Sequence, residues 1–258
     1  MTTATVLISG AASGIGSKIA EAFLGQGANV HICDSSAEMI ADFVAANPTA
    51  TATQADVSSV ADVDRVFADL NQHHGALNTL INNAGIAGPV ASVDNIETAD
   101  WDECVAVDLS SAFYMTRHAV PMLKAAGGGA IINVASTAGL MGVPMRSPYA
   151  ASKWGLIGLT KTWAMELGPE KIRVNAVCPG CVSGPRIEGV IDRDAKKRGV
   201  SPEEIRNIYL RQSSMRNFVS PEEIADTVLF LASDKASQIS GQALAIDGHT
   251  ETLANWLD

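Results

Sequence analysis

The stretch Ser136–Lys153 reads STAGLMGVPMRSPYAASK and follows the apolar run AIINVA. A β-branched run of this kind is typical of a strand buried on both faces of a sheet, which predicts Ser136 at the carboxyl end of a central strand. Pro148 suits the first turn of a helix, so Tyr149 and Lys153 fall four residues apart on one helical face. We expect a hydroxyl, a phenol and an ammonium to converge.

These three groups suit proton transfer. A free phenol has a pKa of about 10, and a cation one helical turn away favours the phenolate and lowers that pKa. Lys153 would supply the cation, and Ser136 would bind the oxygen of an alcohol or carbonyl while Tyr149 moves its proton. The carbon would then exchange a hydride with a cofactor. An ordinary surface pair of Tyr149 and Lys153 is the alternative, because such spacings are common on helices.

Length and charge restrict the class of protein. The 258 residues are 47 % hydrophobic and 5 % aromatic, which fits one large α/β domain with an aliphatic core. The formal net charge of -10 argues against nucleic-acid binding, which needs a basic surface. No apolar run approaches the length that spans a bilayer, and the amino terminus lacks the basic segment of a signal peptide. We therefore expect a cytoplasmic protein that binds neither nucleic acid nor membranes.

The cysteines do not predict a metal site. Cys178 and Cys181 form a Cys-Pro-Gly-Cys sequence that resembles half of a zinc or redox site, and Cys33 and Cys104 stand alone. A structural zinc ion needs four ligands, and no second Cys or His pair has suitable spacing. We expect reduced thiols and no metal.

A glycine-rich turn follows the first predicted strand, Val6–Ile8. It reads SGAASGIG over Ser9–Gly16 and leads into a helix predicted over Ser17–Gly25. Glycines allow the backbone to approach a phosphate, and the start of a helix offers free N–H groups and a positive dipole end. A P-loop is excluded because Ser17 stands where its lysine would be.

Asp34 ends the second predicted strand, Asn29–Asp34, 18 positions after Gly16. A ribose-binding carboxylate lies at this place in a dinucleotide fold. The alternative is that Asp34 caps the helix that follows, and both roles are compatible. A negative charge here repels the 2′-phosphate of NADP, and Ser35-Ser36-Ala37 offers no cation. The sequence therefore predicts NAD as the cofactor.

Strand and helix patterns alternate along the chain, with a long helical region predicted over Trp101–Met122. The further strands are predicted near 50–55, 77–81, 130–135, 172–177 and 243–246. This alternation predicts an α/β fold with a doubly wound, Rossmann-like parallel sheet in a single domain, 1–258, whose ligands lie at the carboxyl ends of the strands. The segment 184–218 departs from the pattern and is predicted to be a helical substrate lid, with a helix start at Pro202.

Together these motifs resemble the short-chain dehydrogenase/reductase family over essentially the whole chain. The matching motifs are Gly10-x-x-x-Gly14-x-Gly16, Asn82-Asn83-Ala84-Gly85, Ser136, Tyr149-x-x-x-Lys153 and Pro179-Gly180. The resemblance implies that Tyr149 is the acid/base, that Lys153 lowers its pKa and binds the nicotinamide ribose, and that Ser136 orients the substrate oxygen. It also implies a homo-oligomer, commonly a tetramer.

The resemblance further implies a set of cofactor contacts. The phosphates would meet the glycine turn and its helix start, Gly10, Ser13, Gly14, Ile15 and Gly16, and the ribose of the adenosine would meet Asp34. The adenine would be lined by Asp56 and Val57, and the adenosine side by Asn83, Ala84 and Gly85. The nicotinamide side would be contacted by Tyr149, Lys153, Pro179, Gly180 and Val182.

Two positions depart from the family pattern. The family usually has Asn in a Val-Asn-Leu stretch that completes a proton relay, and this chain has Asp108 between Val107 and Leu109. Asp108 is kept as a candidate catalytic residue because a carboxylate accepts a hydrogen bond from a relay water, although it lacks the amide donor. The family also tends to place Thr shortly after Pro-Gly, where the nearest hydroxyl here is that of Ser183.

The predicted lid is basic in an acidic chain. Between 184 and 217 it holds eight basic residues and five acids: Arg186, Arg193, Lys196, Lys197, Arg198, Arg206, Arg211 and Arg216 against Glu188, Asp192, Asp194, Glu203 and Glu204. We expect Arg146 and Arg186 to flank the pocket and to hold a carboxylate, sulfonate or phosphate of a small-molecule substrate. The alternative is an ordinary solvated surface.

The leading functional hypothesis is an NAD-dependent oxidoreductase that acts on a secondary alcohol or ketone, such as an anionic or sugar-like polyol. A reductase of carrier-bound 3-oxoacyl thioesters that uses NADPH is the second hypothesis. A dinucleotide-sensing or scaffold protein without turnover is the third, and the presence of Ser136, Tyr149 and Lys153 argues against it.

Overall fold

Seven parallel strands form one sheet in the order β3-β2-β1-β4-β5-β6-β7. The computed structural model describes residues 3–250. The strands are β1 (Thr5–Ser9), β2 (Asn29–Asp34), β3 (Thr51–Gln54), β4 (Thr79–Asn82), β5 (Gly129–Val134), β6 (Ile172–Pro179) and β7 (Ala243–Ile246). The chain reverses its direction of travel across the sheet between β1 and β4, which creates a crevice at the carboxyl ends of these strands.

Helices cover both faces of the sheet. They are α1 (Gly14–Gly25), α2 (Ala37–Ala46), α3 (Val60–His74), α4 (Thr98–Val105), α5 (Ser111–Ala125), α6 (Ser147–Leu167), α7 (Pro185–Arg198), α8 (Pro202–Arg211) and α9 (Pro221–Ala232). Helices α1, α2 and α9 pack on one face and α3, α5 and α6 on the other. A hydrophobic core lies on each face of the sheet, and alternate residues of a strand point into the two cores. In β1, for example, Leu7 belongs to one core and Ile8 to the other.

The predicted fold class is confirmed, a doubly wound parallel sheet in a single domain. Two predicted helix limits were wrong. Helix α1 begins at Gly14 rather than Ser17, so the glycine turn itself supplies the first helical turn. The region Trp101–Met122 is two helices, because a π-helical turn, Ala106–Ser110, separates α4 from α5. Such turns occur frequently at functional sites, and this one carries Asp108.

The segment 184–218 folds as two helices with a small core of its own. Helices α7 and α8 bury a cluster of apolar side chains between them, Ile187, Ile191, Ala195, Ile205 and Ile208. Ser201 forms a capping box with Glu204 at the start of α8, next to Pro202, which confirms the predicted helix start. Between residues 3 and 250, no helix has the length and apolarity needed to cross a membrane.

A ladder of buried polar groups lies beneath the carboxyl edge of the sheet. The Asn82 amide donates to Asn133 Oδ1 on the neighbouring strand at 2.8 Å and to Thr116 of α5 at 3.1 Å. The Asn133 amide donates in turn to Thr160 of α6 at 2.8 Å. Buried polar groups need such partners, and these bonds tie β4 and β5 to the two helices that hold the site.

A second buried polar cluster surrounds His31 of β2. Its ring nitrogens lie 2.7 Å from Thr51 Oγ1 and 3.0 Å from Thr53 Oγ1. The pKa of His31 is lowered from 6.5 to about 4, mainly by burial and in addition by His74 and His73, whereas Asp69 acts in the opposite direction. The folded protein therefore holds His31 in its neutral form at neutral pH.

This cluster predicts a loss of stability in mild acid. Below pH 6.5 the unfolded chain binds a proton that the folded chain binds only near pH 4, so the free energy of unfolding falls as the pH drops through this range. The expected loss is about 2 kcal/mol between pH 7 and pH 5, measured by urea unfolding. His31→Gln should flatten this dependence, while His118→Gln, a histidine outside the cluster, should retain it. Equal slopes for the two variants would contradict the assignment.

Candidate active site

The predicted site residues lie at the carboxyl edge of the sheet. The glycine turn follows β1, Asp34 ends β2, Asn83 follows β4, Ser136 follows β5 and Gly180 follows β6. In a parallel sheet these strand ends all meet on one side, so the residues converge although they are far apart in the chain.

The glycine turn after β1 is braced by Asn83. The Asn83 amide donates to Ser9 O at 3.0 Å and to Gly10 O at 2.7 Å. The two turns are so close that a Cβ on Gly10 would lie 2.7 Å from Ala84 Cα, and one on Gly16 would lie 2.4 Å from Gly10 O. These positions accept only glycine, and Asn83 fixes the conformation of the turn.

The amino terminus of α1 has the free donors that a pyrophosphate needs. Its N-cap residue, Ser13, makes no side-chain hydrogen bond to the helix, whereas Ser36 and Ser59 cap α2 and α3 with theirs. A Cβ on Gly14 would meet nothing within 4 Å, so the space in front of this turn is open. The uncapped N–H groups and this open approach fit a dinucleotide phosphate.

Asp34 lies beside this turn. Its carboxylate accepts the N–H of Ala12 at 3.1 Å and that of Ser36 at 3.2 Å. The cap of α2 is Ser36, which accepts the N–H of Met39, so the alternative role of Asp34 as the N-cap was wrong. The neighbouring cation Arg65 is committed to Asp62 and to Gln54 O.

The other predicted cofactor positions lie along the same crevice. Asp56 is exposed and binds Ser58, whereas Val57 is 6 % exposed and belongs to the core. The Gly180 N–H donates to Ile246 O, and Val182 pairs with Val219 in an isolated bridge. The Ser183 hydroxyl donates to Val219 O at 3.3 Å, so its oxygen remains able to accept a hydrogen bond, such as one from a carboxamide N–H.

Tyr149 and Lys153 both lie in the first two turns of α6. Lys153 is only 4 % exposed, and its ammonium donates to Val134 O at 3.3 Å and lies 5.5 Å from the centre of the Tyr149 ring. Ser136 Oγ accepts the N–H of Ala138 at 3.1 Å, which leaves its O–H free to donate to another oxygen. Tyr149 is half-buried.

Arg146 brings a second cation to Tyr149. The guanidinium carbon lies 4.8 Å from the centre of the ring, closer than the ammonium of Lys153. One of its terminal nitrogens donates to Ala87 O at 2.6 Å, and its Nε is buried without a hydrogen-bond partner among the described residues. The sequence predicted Arg146 near the site but not this contact with the phenol ring.

Asp108 is buried on the π-helical turn, 2 % exposed. Oδ1 accepts the N–H of Ile86 at 2.7 Å, and Oδ2 accepts the thiol of Cys104 at 3.6 Å. Burial raises the pKa of Asp108, and Lys153 is the principal group that counters this rise. The sequence analysis missed Cys104, although its spacing of four residues from Asp108 on a helix was a usable signal.

Gly85 packs against both Asp108 and Lys153. A Cβ at this position would lie 2.8 Å from Asp108 Oδ1 and 3.3 Å from Lys153 Nζ, so both charged groups lie close to the same point beside this glycine. They form no direct ion pair in the described part of the chain. Asp108 therefore acts on Lys153 through space.

Arg186 stands at the start of α7 with its side chain exposed and no ion-pair partner within residues 3–250. Its charge helps to lower the pKa of Asp108, so it lies on the side of α7 that faces the site.

Burial raises the pKa of both Cys178 and Cys181 to about 11, which keeps these thiols protonated. Residues 3–250 contain no group of three His, Cys, Asp or Glu side chains that could hold a metal ion.

Known proteins resemble this chain over nearly its full length. Residues 10–249 match the family described as enoyl-(acyl carrier protein) reductase. D-beta-hydroxybutyrate dehydrogenase of Rhizobium meliloti is 36 % identical over 253 residues, which cover 95 % of this chain and 98 % of that protein. The 3-oxoacyl-(acyl-carrier-protein) reductase FabG of Thermotoga maritima is 39 % identical over 246 residues, with coverages of 94 % and 95 %.

A solved structure, that of NAD⁺-bound xylitol dehydrogenase, superposes with a TM-score of 0.90 at 28 % identity and covers 95 % of this chain and 98 % of its own. Fold, glycine turn and Tyr-x-x-x-Lys helix define the class as an oxidoreductase that acts on CH–OH groups with a nicotinamide dinucleotide. The chain belongs to the short-chain dehydrogenase/reductase family.

The crowding around Gly85 predicts that an added methyl group disturbs the site. Gly85→Ala keeps the backbone conformation accessible but forces Asp108 or Lys153 to move, and a displacement of this size is expected to lower kcat about 100-fold. Gly25→Ala, where a Cβ meets nothing within 4 Å, is the matched control and should keep its kcat. Normal turnover by Gly85→Ala would show that the two charged groups need not stay in place.

Proposed function

We propose that this protein is an NAD-dependent dehydrogenase of a secondary alcohol or of its ketone, with an anionic hydroxy acid or polyol as substrate. The observation that supports this most is the placement of the Tyr149 ring beside the buried Lys153 ammonium, in the same crevice as the uncapped amino terminus of α1. The first arrangement activates a phenol and the second binds a dinucleotide, and hydride transfer needs both.

In this mechanism each side chain has one task. The Ser136 hydroxyl donates to the substrate oxygen, which holds the carbon that reacts in place. Tyr149 takes the hydroxyl proton during oxidation and returns it during reduction, and the Lys153 cation, 5.5 Å from the centre of its ring, favours negative charge on the phenol oxygen. The bound nicotinamide would supply the hydride chemistry. Lys153 and Tyr149 would also contact its ribose, and Pro179, Gly180 and Val182 would line its ring.

The preference for NAD over NADP rests on Asp34. Its carboxylate is fixed by two N–H donors next to the glycine turn, and the cation Arg65 is committed elsewhere. A 2′-phosphate at this point would meet a like charge. The NAD⁺-bound xylitol dehydrogenase with the same fold agrees with this proposal, and Asp56 and Val57 would line the adenine.

The proposal that the substrate is anionic depends on two cations near the site, Arg186 and Arg146. Arg186 is exposed without an ion-pair partner among the described residues, and Arg146 has donors left after its bond to Ala87. A guanidinium suits a carboxylate because it offers parallel N–H donors. The relative from Rhizobium meliloti is named for hydroxybutyrate, a hydroxy acid with this charge. The segment 184–218 would act as the lid that closes over the substrate.

A carrier-bound 3-oxoacyl thioester is the second candidate substrate, because the Thermotoga maritima relative is named as such a reductase. Asp34 argues against the NADPH that we expect this reaction to use. A non-catalytic sensor is the weakest candidate, since it would have no need of a buried Lys153 beside Tyr149.

We also propose a closed homo-oligomer, a tetramer, built on α5 and α6. These helices expose large apolar side chains, with Phe113 47 %, Trp154 52 % and Met165 83 % exposed.

A cytoplasmic location is proposed because four free cysteines, three of them buried, suit a reducing compartment.

Replacement of the phenol tests the proposed chemistry. Tyr149→Phe removes the proton carrier and leaves the glycine turn intact, so turnover should fall by several orders of magnitude while the Kd for NAD stays near its original value. Steady-state kinetics and calorimetric titration give the two quantities. A Tyr149→Phe enzyme that retains its turnover would refute the role of Tyr149.

The cofactor preference is tested by comparing the two dinucleotides. The unmodified enzyme should use NAD with a kcat/KM more than about tenfold above that for NADP, because of the repulsion at Asp34. Asp34→Ala combined with Ser35→Arg removes the anion and adds a cation, and should shift the preference toward NADP. Equal use of both dinucleotides by the unmodified enzyme would contradict the proposal.

The substrate charge is tested on the two arginines. Arg186→Met and Arg146→Met should each raise the KM for an anionic hydroxy acid about tenfold, because each removes a charged hydrogen-bond donor, with little change for a neutral alcohol of similar shape. Lys197→Met, which removes an exposed charge from the same lid, is the control and should change neither KM. If the ratio of the two KM values is unchanged in both arginine variants, the lid charge is an ordinary surface feature.

A further inference from the structure

We propose that Arg146 and Asp108 are an opposed pair of charges that together set the proton affinity of Tyr149. Arg146 favours the phenolate directly, and Asp108 opposes it by offsetting the charge of Lys153. The inference rests on the proposed function, in which Tyr149 carries the proton, and it assigns to Arg146 a task that is independent of substrate charge.

The position of Arg146 supports the first half. Its guanidinium lies 4.8 Å from the centre of the Tyr149 ring and is held there by the 2.6 Å bond to Ala87 O. A cation at this distance stabilises the negative charge of a phenolate more than the neutral phenol. Because Arg146 is anchored to the backbone, its charge stays beside the ring whether or not a substrate is present.

The position of Asp108 supports the second half. Its carboxylate is buried and packs against Gly85 together with the Lys153 ammonium, without forming an ion pair with it. The favourable action of Lys153 on the Asp108 carboxylate is one half of a mutual coupling, in which the carboxylate also stabilises the ammonium. The net positive field that reaches Tyr149 from this side is therefore weaker than the field of Lys153 alone.

The charges of Asp108 and Arg146 compensate each other. An Asn at position 108 would be neutral and would leave the full charge of Lys153 to act on the phenol. With Asp108 in that place, a second cation at Arg146 restores the positive field. Both side chains are held by backbone groups of one loop, since Asp108 accepts from Ile86 N and Arg146 donates to Ala87 O. A single segment of two residues thus fixes both charges relative to Tyr149.

The other titratable groups around these residues do not supply this field. They are Cys104 on α4, Cys178 on β6, Arg186 on α7, Tyr209 on α8 and Asp247 after β7. The thiols of Cys104 and Cys178 have pKa values raised to about 12 and about 11, and burial also raises the pKa of Tyr209, so all three are neutral. Asp247 accepts the N–H groups of His249 and Thr250. Arg186 also acts on Asp108, but it is exposed to solvent, so its charge is screened more than that of the buried Lys153.

The test is the pH dependence of kcat for oxidation of a neutral secondary alcohol, which excludes any effect of substrate charge. Arg146→Met should move the acid limb of this profile up by about one pH unit, and Asp108→Asn should move it down. The double variant should return the limb to near its original position, because the two effects oppose each other. Arg146→Lys retains a cation and should shift the limb less than Arg146→Met.

A direct titration of the phenol provides a second readout. The chain has three tyrosines, so the ultraviolet tyrosinate signal of each enzyme minus that of its Tyr149→Phe counterpart isolates Tyr149. The midpoint should move in the same directions as the kinetic limb, with no substrate or cofactor present. Thermal unfolding of the same variants shows whether each one is folded.

The outcomes separate this inference from the proposed function. If Tyr149→Phe is inactive and neither charge variant moves the limb or the titration midpoint, Arg146 and Asp108 have only packing roles and this inference is wrong. Shifts of the same sign in both variants would also overturn it. If Tyr149→Phe retains turnover, the proposed function itself fails, whatever the charge variants do.

Discussion

Close packing of backbone at the carboxyl edge of the sheet is the constraint on which the site depends. The turns after β1 and β4 touch at Gly10 and Ala84, the turn after β6 touches Asp247 at Gly180, and Gly85 fits between two charged side chains. Each contact leaves no room for a Cβ, so glycine at these positions lets the turns after β1 and β4 approach each other, and likewise those after β6 and β7. The ligand-binding crevice is the space that this packing leaves at the switch point between β1 and β4.

The same packing determines the electrostatics of the site. Lys153 is buried beside Tyr149 and fixed by Val134 O, and the buried Asp108 packs with Lys153 against Gly85. Charges removed from water act over several ångströms with little screening. The charges near Tyr149 therefore come from the start of α6 and from the π-helical turn, and the backbone of the loop after β4 fixes Asp108 and Arg146 in place.

The fold and the placement of Tyr149 and Lys153 on one helix were predictable because their signals are local. Buried strand runs, the helix start at Pro202 and the four-residue spacing of Tyr149 and Lys153 follow from the repeats of strand and helix. The π-helical turn at Asp108, the thiol of Cys104 behind it and the stacking of Arg146 on Tyr149 were not predictable. They arise from contacts between segments that are distant in sequence, such as Arg146 with Ala87. Helix α1 was predicted to start too late because glycine lowers helix propensity, and its tertiary contacts override this.

Isotope transfer tests the central claim most directly, namely that this crevice moves a hydride between a carbinol carbon and a nicotinamide ring. The enzyme is incubated with NAD and a secondary alcohol that carries deuterium on the carbinol carbon, and the reduced dinucleotide is then examined by mass spectrometry and NMR. The account predicts one deuterium on the nicotinamide ring of each reduced molecule, together with slower turnover than with the unlabelled alcohol wherever hydride transfer limits the rate. Reduced dinucleotide without deuterium, or a ketone formed without any reduction of the dinucleotide, would contradict it.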